Sequence, residues 1–204
     1  RWDDCTDEDW QGLGPMQVRV PMVIAVDIGI KHDACAAVAR AYDPGTGRYV
    51  LLKHRIWLPE DYGPDDRLLV LDDLNAWVMT LHTTQRVLAL YYDPSQNRMR
   101  EVADTDYKRL IDTRVLRNYR AYDLRRHVLA AVARYVGGNT VRLDKNRTNA
   151  HIDAAVADSM CCLGVTQRRN DFERIYKLKD KPPPRRVVGD PFNRIFGLDA
   201  GRRR

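Results

Sequence analysis

The first part of the chain alternates β-rich apolar runs with short turns. The runs cover residues 20–28, 34–42 and 49–57, and the connection over residues 43–47, Asp-Pro-Gly-Thr-Gly, is a strong turn signal. Two strands joined by so short a connection pair antiparallel. The pattern therefore predicts three consecutive strands in an antiparallel meander.

The following residues change to a mixture of helical and strand-like spacing. In chain order, the predicted elements are a helix over 68–81, a strand over 87–92, a helix over 119–136, a strand over 140–143 and a helix over 150–163. Residues 95–118 are polar and fit no element. The continuously apolar run 87–92 is typical of a strand buried on both faces.

The order β-β-β-α-β-α-β-α predicts an α/β fold. Three antiparallel strands followed by α-β units build a mixed five-stranded sheet with helices on both faces. In such a sheet, the first and fourth strands can lie side by side and parallel.

Composition describes a globular protein of one ordinary domain with appended segments. Of the 204 residues, 44% are hydrophobic and 30% are charged, and no apolar stretch approaches the roughly 20 residues that cross a bilayer. We therefore expect no membrane role. The four cysteines lack the C-x-x-C spacing of a zinc site. They are predicted to be reduced packing residues, as in a cytosolic protein.

Charge divides the chain unevenly. Residues 165–204 hold twelve Lys or Arg against five Asp or Glu, a net charge of +7, so the rest of the +6 chain is near −1. A basic excess favours a polyanionic partner, and a solvated tail is the alternative. We predict an acidic linker end over 1–19, a folded domain over 20–165 and a basic, proline-containing tail over 166–204.

Three aspartates stand where the predicted sheet would bring them together. Asp27 lies inside an apolar strand, Asp93 ends the fourth strand, and Asp153 lies near the start of the last helix. A buried, ionised carboxylate without a partner costs several kcal/mol, so such a residue is usually paired, protonated or bound to a metal. Taken singly, each has an ordinary explanation: a turn cap, an Asp-Pro turn and a first-turn helix residue, respectively.

Converging carboxylates need a cation between them. Two carboxylates about 4 Å apart repel by roughly 4 kcal/mol at an effective dielectric constant near 20. Oxygen ligands without clustered Cys or His favour Mg²⁺ or Mn²⁺ over zinc. Two such ions about 4 Å apart activate a water and stabilise the leaving oxygen in phosphodiester hydrolysis. The pattern predicts a metal-dependent nuclease.

Several other polar residues lie near this predicted site. Asp33 is either a turn residue or a hydrogen-bond partner of a metal ligand. His151 either caps the helix or orients water or phosphate. Asp158 lies about 140° around the helix from Asp153, so the two are not expected to share an ion. It either faces solvent or shows that the assigned helix face is shifted. Candidates for DNA contact, against the alternative of solvated loops, are Lys31, Lys145, Arg147 and Asn149.

Three stretches together resemble the nuclease domain of the large terminase subunit of tailed bacteriophages. They are Val-Ile-Ala-Val-Asp27-Ile-Gly-Ile-Lys-His-Asp33, Tyr-Tyr-Asp93-Pro-Ser-Gln and Asn149-Ala-His-Ile-Asp153-Ala-Ala-Val-Ala. The match covers about residues 20–165. It implies a ribonuclease-H-like fold, with Asp27, Asp93 and Asp153 binding two divalent ions. At the position of Asp158 that family commonly has an apolar residue.

The resemblance also implies a biological setting. Members of the terminase family cut concatemeric double-stranded DNA during genome packaging, so double-stranded DNA is the expected substrate. The expected partners are an ATPase domain in the same polypeptide, the portal protein and the small terminase subunit, in the host bacterial cytoplasm. No Gly-x-x-x-x-Gly-Lys-Ser/Thr loop occurs in this sequence, so the chain itself is not the motor.

Three alternatives stay open at the level of sequence. A junction resolvase or transposase-type nuclease of the same fold would share the acidic residues and recognise structured DNA. A sugar-kinase or actin-like ATPase half also begins with Val-Asp-Ile-Gly, but Lys31-His32 fits its phosphate turn poorly. A catalytically silent DNA-binding or portal-docking module is distinguished by the absence of metal binding.

Overall fold

The computed structural model describes residues 1–14, 19–29, 33–62, 67–92, 98–146 and 150–179. The first three strands are β1 (Pro21–Asp27), β2 (Cys35–Asp43) and β3 (Arg48–Trp57), and they pair antiparallel in sequence order. The remaining elements are α1 (Arg67–Thr84), β4 (Arg86–Tyr92), α2 (Arg98–Asp112), β5 (Leu116–Arg117), α3 (Tyr122–Ala130), β6 (Ala131–Gly137), β7 (Thr140–Lys145), α4 (Asp153–Gln167) and α5 (Arg169–Lys179).

The main sheet has five strands in the order β4-β1-β2-β3-β5. β4 pairs parallel with β1, which confirms that the first and fourth strands are neighbours. On one face, Trp77 of α1 packs edge-on against Trp57 of β3. On the other, the thiol of Cys161 in α4 donates to the carbonyl of Val23 in β1 over 3.2 Å. The predicted mixed sheet with helices on both faces is confirmed.

The fifth strand of this sheet is not the predicted one. Residues 140–143 do form a strand, β7, but it pairs with β6 in a separate two-stranded hairpin. The fifth strand of the main sheet is β5, which lies in the segment 95–118 where the sequence predicts no element. The helix α2 lies in the same segment and is likewise not predicted. A two-residue strand carries too little periodicity to be read from sequence.

The predicted helix over 119–136 is correct only in its first half. The helix α3 ends at Ala130, and residues 131–137 form β6. Val132, Tyr135 and Val136 favour a strand. In the Gly137-Gly138 pair, which suggests a helix stop, Gly137 instead ends β6 and Gly138 begins the hairpin turn. Gly138 has a φ of +54°, a left-handed conformation that suits glycine in such a turn.

β4 is not buried on both faces as its composition predicts. It is the outermost strand of the described sheet, and the side chains of Leu90 and Tyr92 are 52% and 64% exposed. An apolar run indicates a strand here, but its position at an edge is decided by pairing, which a single strand's composition does not encode.

The acidic N-terminal segment packs against the domain. Trp2 and Cys5 are buried, and the indole N–H of Trp10 donates to the carbonyl of Leu51 over 2.7 Å. Its acids pair with basic residues in and around β5 and in α3, as in the Asp7–Arg117 ion pair at 2.7 Å. At the other end, α5 continues to residue 179, and the proline run lies outside the described residues. The division into linker end, domain and tail stays a prediction.

All four cysteines are buried and free, as predicted for packing residues. None of the helices in the described ranges has the length and apolar character that spanning a bilayer requires.

Candidate active site

The helix α4 runs antiparallel to β1 and brings Asp153 level with Asp27. Cys161 and Gly164 of α4 lie against Val23, near the start of the strand. From Val23 to Asp27 the strand rises about 13 Å. From Cys161 back to Asp153 the helix spans about 12 Å. Because Asp27 shares the face of β1 with Val23, the two carboxylates lie at one end of the sheet, under the N-terminus of α4.

The electrostatic surroundings of Cys35 and Lys145 also indicate that Asp27 and Asp153 lie close together. Burial raises the pKa of the Cys35 thiol, and the charges of Asp27 and Asp153 both raise it further. The same two charges also act on the ammonium group of Lys145. Cys35 on β2 and Lys145 on β7 therefore both lie within electrostatic range of the two aspartates.

Asp153 is a buried carboxylate with an unsatisfied oxygen. Its side chain is 9% exposed, and among the described residues no donor lies within hydrogen-bonding distance of Oδ2. His151 Nδ1 stands 3.6 Å from Oδ2, too far for a hydrogen bond, and it too lacks a partner among those residues. Burial raises the pKa of Asp153, and Asp33 raises it further. A buried anionic oxygen without a donor is suited to a cation.

Lys145 and Asp33 form an ion pair beside these carboxylates. Lys145 ends β7, and Asp33 precedes β2. Its hydrogen bond to Asp33 raises the pKa of Lys145. Gly29 permits the backbone at Asp33 to approach closely, because a Cβ at residue 29 would collide with the carbonyl oxygens of Asp33 and Ala34. The β6–β7 hairpin thus places the ammonium group of Lys145 close to three aspartates, Asp27, Asp33 and Asp153.

A buried histidine, which the sequence analysis missed, touches the start of α4. His127 in α3 is 6% exposed, and its Nδ1 accepts a hydrogen bond from the backbone N–H of Ala154 over 3.2 Å. Its ring stacks on that of His151, with centroids 6.1 Å apart and planes 26° apart. Burial lowers the pKa of His127 to about 4, so the ring is neutral at pH 7. The available signal was a polar residue beside Leu124 and Val128 on a predicted apolar face.

A pocket of about 300 Å³ opens beside the two histidines. Ile56, Leu58 and Ala130 supply apolar lining. Its charged residues are three acids and one base, Glu60, Asp61, Asp123 and Arg126. An acidic excess disfavours a phosphate backbone, so the pocket is a poor path for DNA.

Comparison with known proteins finds similarity in structure only. No family model and no curated protein sequence matches the chain. The large terminase of bacteriophage HK97 superposes with a TM-score of 0.55 at 16% identity, over 78% of this chain and 41% of that one. The large terminase nuclease of thermophilic phage G20c gives 0.52 at 8%, over 74% and 83%. The large terminase of another thermophilic bacteriophage, in complex with ATP-γ-S, gives 0.52 at 12%, over 80% and 44%.

In fold, this chain resembles the large terminase nucleases. The predicted ribonuclease-H-like fold is thereby confirmed. Identities of 8–16% show the fold alone. The chain spans less than half of the HK97 protein and of the ATP-γ-S-bound terminase but 83% of the G20c nuclease, so the similarity concerns their nuclease part.

Within this terminase-nuclease-like fold, Asp158 is a buried structural residue. It is fully buried, so solvent exposure, one of the two sequence-based alternatives, is wrong. Arg40 of β2 pairs with both of its oxygens, with Nη2 and Oδ2 2.8 Å apart, and the Tyr107 hydroxyl donates to Oδ2 over 2.6 Å. With both oxygens occupied, Asp158 has none left for a metal.

Four candidate residues lie outside the described residues. They are Lys31, Asp93, Arg147 and Asn149. The described ranges alone contain no group of three His, Cys, Asp or Glu side chains that could hold a metal ion. In the parallel β1–β4 ladder, Val26 pairs with Tyr92, and the next residues in sequence are Asp27 and Asp93. The assignment of the three aspartates as metal ligands stays a prediction.

Proposed function

We propose that this chain is a divalent-metal-dependent DNA endonuclease that cuts double-stranded concatemeric DNA during genome packaging. Asp27, Asp93 and Asp153 would hold two Mg²⁺ or Mn²⁺ ions. The observation that carries the proposal is the placement of Asp27 and Asp153 at one end of the sheet, with a buried oxygen of Asp153 that no described donor satisfies. The similarity in fold to terminase nucleases supports it.

The donor set fits a hard cation. Oxygen ligands on rigid elements are what Mg²⁺ and Mn²⁺ prefer, and the free Cys35 thiol is buried rather than offered as a ligand. Two such ions, when bound, supply Lewis acidity and lower the pKa of a bound water. The proposed role of the chain is to fix the carboxylates: Asp27 by the strand ladder, and Asp153 at the N-terminus of α4, where the helix dipole favours negative charge.

Neighbouring residues have proposed supporting roles. Lys145 offsets the acidic charge through its pair with Asp33 and, together with Lys31, Arg147 and Asn149, would contact the DNA backbone. His151 would orient water or phosphate beside Asp153. Such contacts carry no base information, so they predict cutting without strong sequence selectivity.

The proposed setting follows from the same similarity. Because the chain spans 41% of the HK97 protein, an ATPase domain in the same polypeptide is proposed to accompany it. The portal protein and the small terminase subunit are proposed partners, in the host bacterial cytoplasm. The +7 segment 165–204 would add attraction for DNA.

The test is plasmid cleavage by the purified chain with Mg²⁺, Mn²⁺ or EDTA. We expect nicked and linear products with Mn²⁺ or Mg²⁺, none with EDTA, and a rate at least about 1,000-fold lower for Asp93→Asn. Asp72→Asn, the same chemical change at an exposed position of α1, is the matched control and should cut normally.

Absence of cleavage with every metal, or undiminished cleavage in EDTA, would contradict the proposal. Cleavage of a four-way junction in strong preference to linear duplex would instead favour the resolvase alternative. Absence of both metal binding and cleavage would favour a silent module.

A further inference from the structure

The N-terminus of α4 lacks a cap from its own flanking residue. Ile152 occupies the N-cap position and offers no side-chain acceptor. A helix start leaves four backbone N–H groups without intrahelical partners, and the N-cap side chain usually satisfies the N–H of the second or third residue. Here that second residue is Ala154, directly after Asp153. Its partner comes from elsewhere in the chain.

The acceptor is the buried ring of His127. Its Nδ1 lies 3.2 Å from the Ala154 nitrogen, and the bond is buried. A histidine on α3 thus supplies to α4 what Ser, Thr or Asp supplies at most helix starts. In the neutral ring, this assignment puts the proton on Nε2.

The helix α3 is itself fixed to the sheet. Asp123, in its first turn, accepts from His54 of β3, with Nε2 and Oδ1 2.6 Å apart. The other ring nitrogen of His54 lies 2.5 Å from the Tyr119 hydroxyl. A chain of polar contacts therefore runs from β3 through α3 to the start of α4. His127 connects the sheet to the residue next to Asp153.

We infer that His127 is a positioning residue for the candidate metal site. It fixes the first turn of α4 and so sets where the Asp153 carboxylate lies relative to Asp27. This inference rests on the proposed function and adds a residue that neither the acidic motifs nor the helix pattern of α4 indicated. Removing a group that orients a metal ligand without itself binding the metal typically lowers metal affinity or activity 10–100-fold.

Three substitutions at residue 127 separate positioning from simple packing. The Oδ1 atom of His127→Asn is the same number of bonds from the backbone as the histidine Nδ1, so it can accept from Ala154. The acceptor of His127→Gln lies one bond further out, and His127→Ala has none. His82→Ala, at an exposed position of α1, is the matched control.

The first measurement is amide hydrogen exchange at Ala154 by NMR in metal-free protein. We expect lost protection in His127→Ala and His127→Gln, and protection near wild type in His127→Asn and His82→Ala. The second is Mn²⁺ affinity, from the electron paramagnetic resonance signal of free Mn²⁺. We expect affinity about tenfold weaker in the Ala and Gln variants and restored in the Asn variant.

Unchanged Ala154 exchange, or altered exchange with unchanged Mn²⁺ affinity, overturns the positioning role while leaving the proposed function intact. Failure of the wild type itself to bind Mn²⁺ contradicts the proposed function, and the inference with it. If His127→Ala does not fold, the contrast between Asn and Gln, both uncharged amides, still decides the result.

Discussion

Replacing Asp153 by Asn is expected to lower the rate of metal-dependent plasmid cleavage at least about 1,000-fold. The substitution keeps the shape of the side chain but removes the anionic oxygen that the account assigns to the metal. Asp33→Asn is the comparison, because Asp33 pairs with Lys145 and its loss should weaken cleavage without abolishing it. Equal rates for Asp153→Asn and wild type would show that Asp153 is not a ligand.

The same substitution should not destabilise the metal-free protein. Burial raises the pKa of Asp153, so between the unfolded and folded pKa values the folded state binds more protons than the unfolded state. The free energy of unfolding therefore falls as the pH rises through that window, so above it the ionised carboxylate lowers stability. Asn removes that charge. Thermal unfolding at pH 7 without metal should occur at or above the wild-type temperature, and a clear decrease would contradict this view.

Replacing Asp158 by Ala is expected to lower the stability of the protein, in contrast to Asp153→Asn. The change leaves the Arg40 guanidinium fully buried without its carboxylate, and breaking such a pair costs about 3–5 kcal/mol of the free energy of unfolding. Urea unfolding at 25 °C measures it. The double variant Arg40→Met, Asp158→Leu replaces the pair by apolar groups and should recover most of the loss.

The two aspartates of α4 thus separate by phenotype. Asp153→Asn should lose activity and keep stability, whereas Asp158→Ala should lose stability first. A loss below about 1 kcal/mol for Asp158→Ala would contradict the structural role given to the Arg40 pair. If Asp158→Ala is insoluble while the double variant folds, the structural role is supported equally.

Local pattern predicts the elements whose periodicity is long and unmixed. The three-stranded meander, α1 and the parallel β1–β4 pair emerge from runs of six residues or more. Three elements depart from the predicted order: α2 and β5 lie where no element is predicted, and β6 occupies the second half of a predicted helix. A glycine pair serves equally as a helix stop and as a hairpin turn, so in sequence the β6–β7 hairpin resembles the end of a helix. β5, with two residues, has no period to detect.

For the candidate site, a charge in an apolar run is the productive signal. It singles out Asp27, and the strand order then brings Asp153 to the same end of the sheet. The sequence pattern does not distinguish a carboxylate that could bind a metal ion from one that already pairs with a basic side chain, as Asp158 pairs with Arg40. Nor does it find His127, whose role depends on a contact between two helices. Such pairings depend on tertiary structure, which the spacing within one helix does not contain.

The most direct test of the account is a crystal structure of the chain soaked in Mn²⁺, with anomalous diffraction used to locate the ions. The account predicts two anomalous peaks about 4 Å apart, bound by the carboxylates of Asp27, Asp93 and Asp153. Well-ordered Mn²⁺ elsewhere with no peak between these carboxylates, or an Asp93 carboxylate pointing away from Asp27, would contradict it.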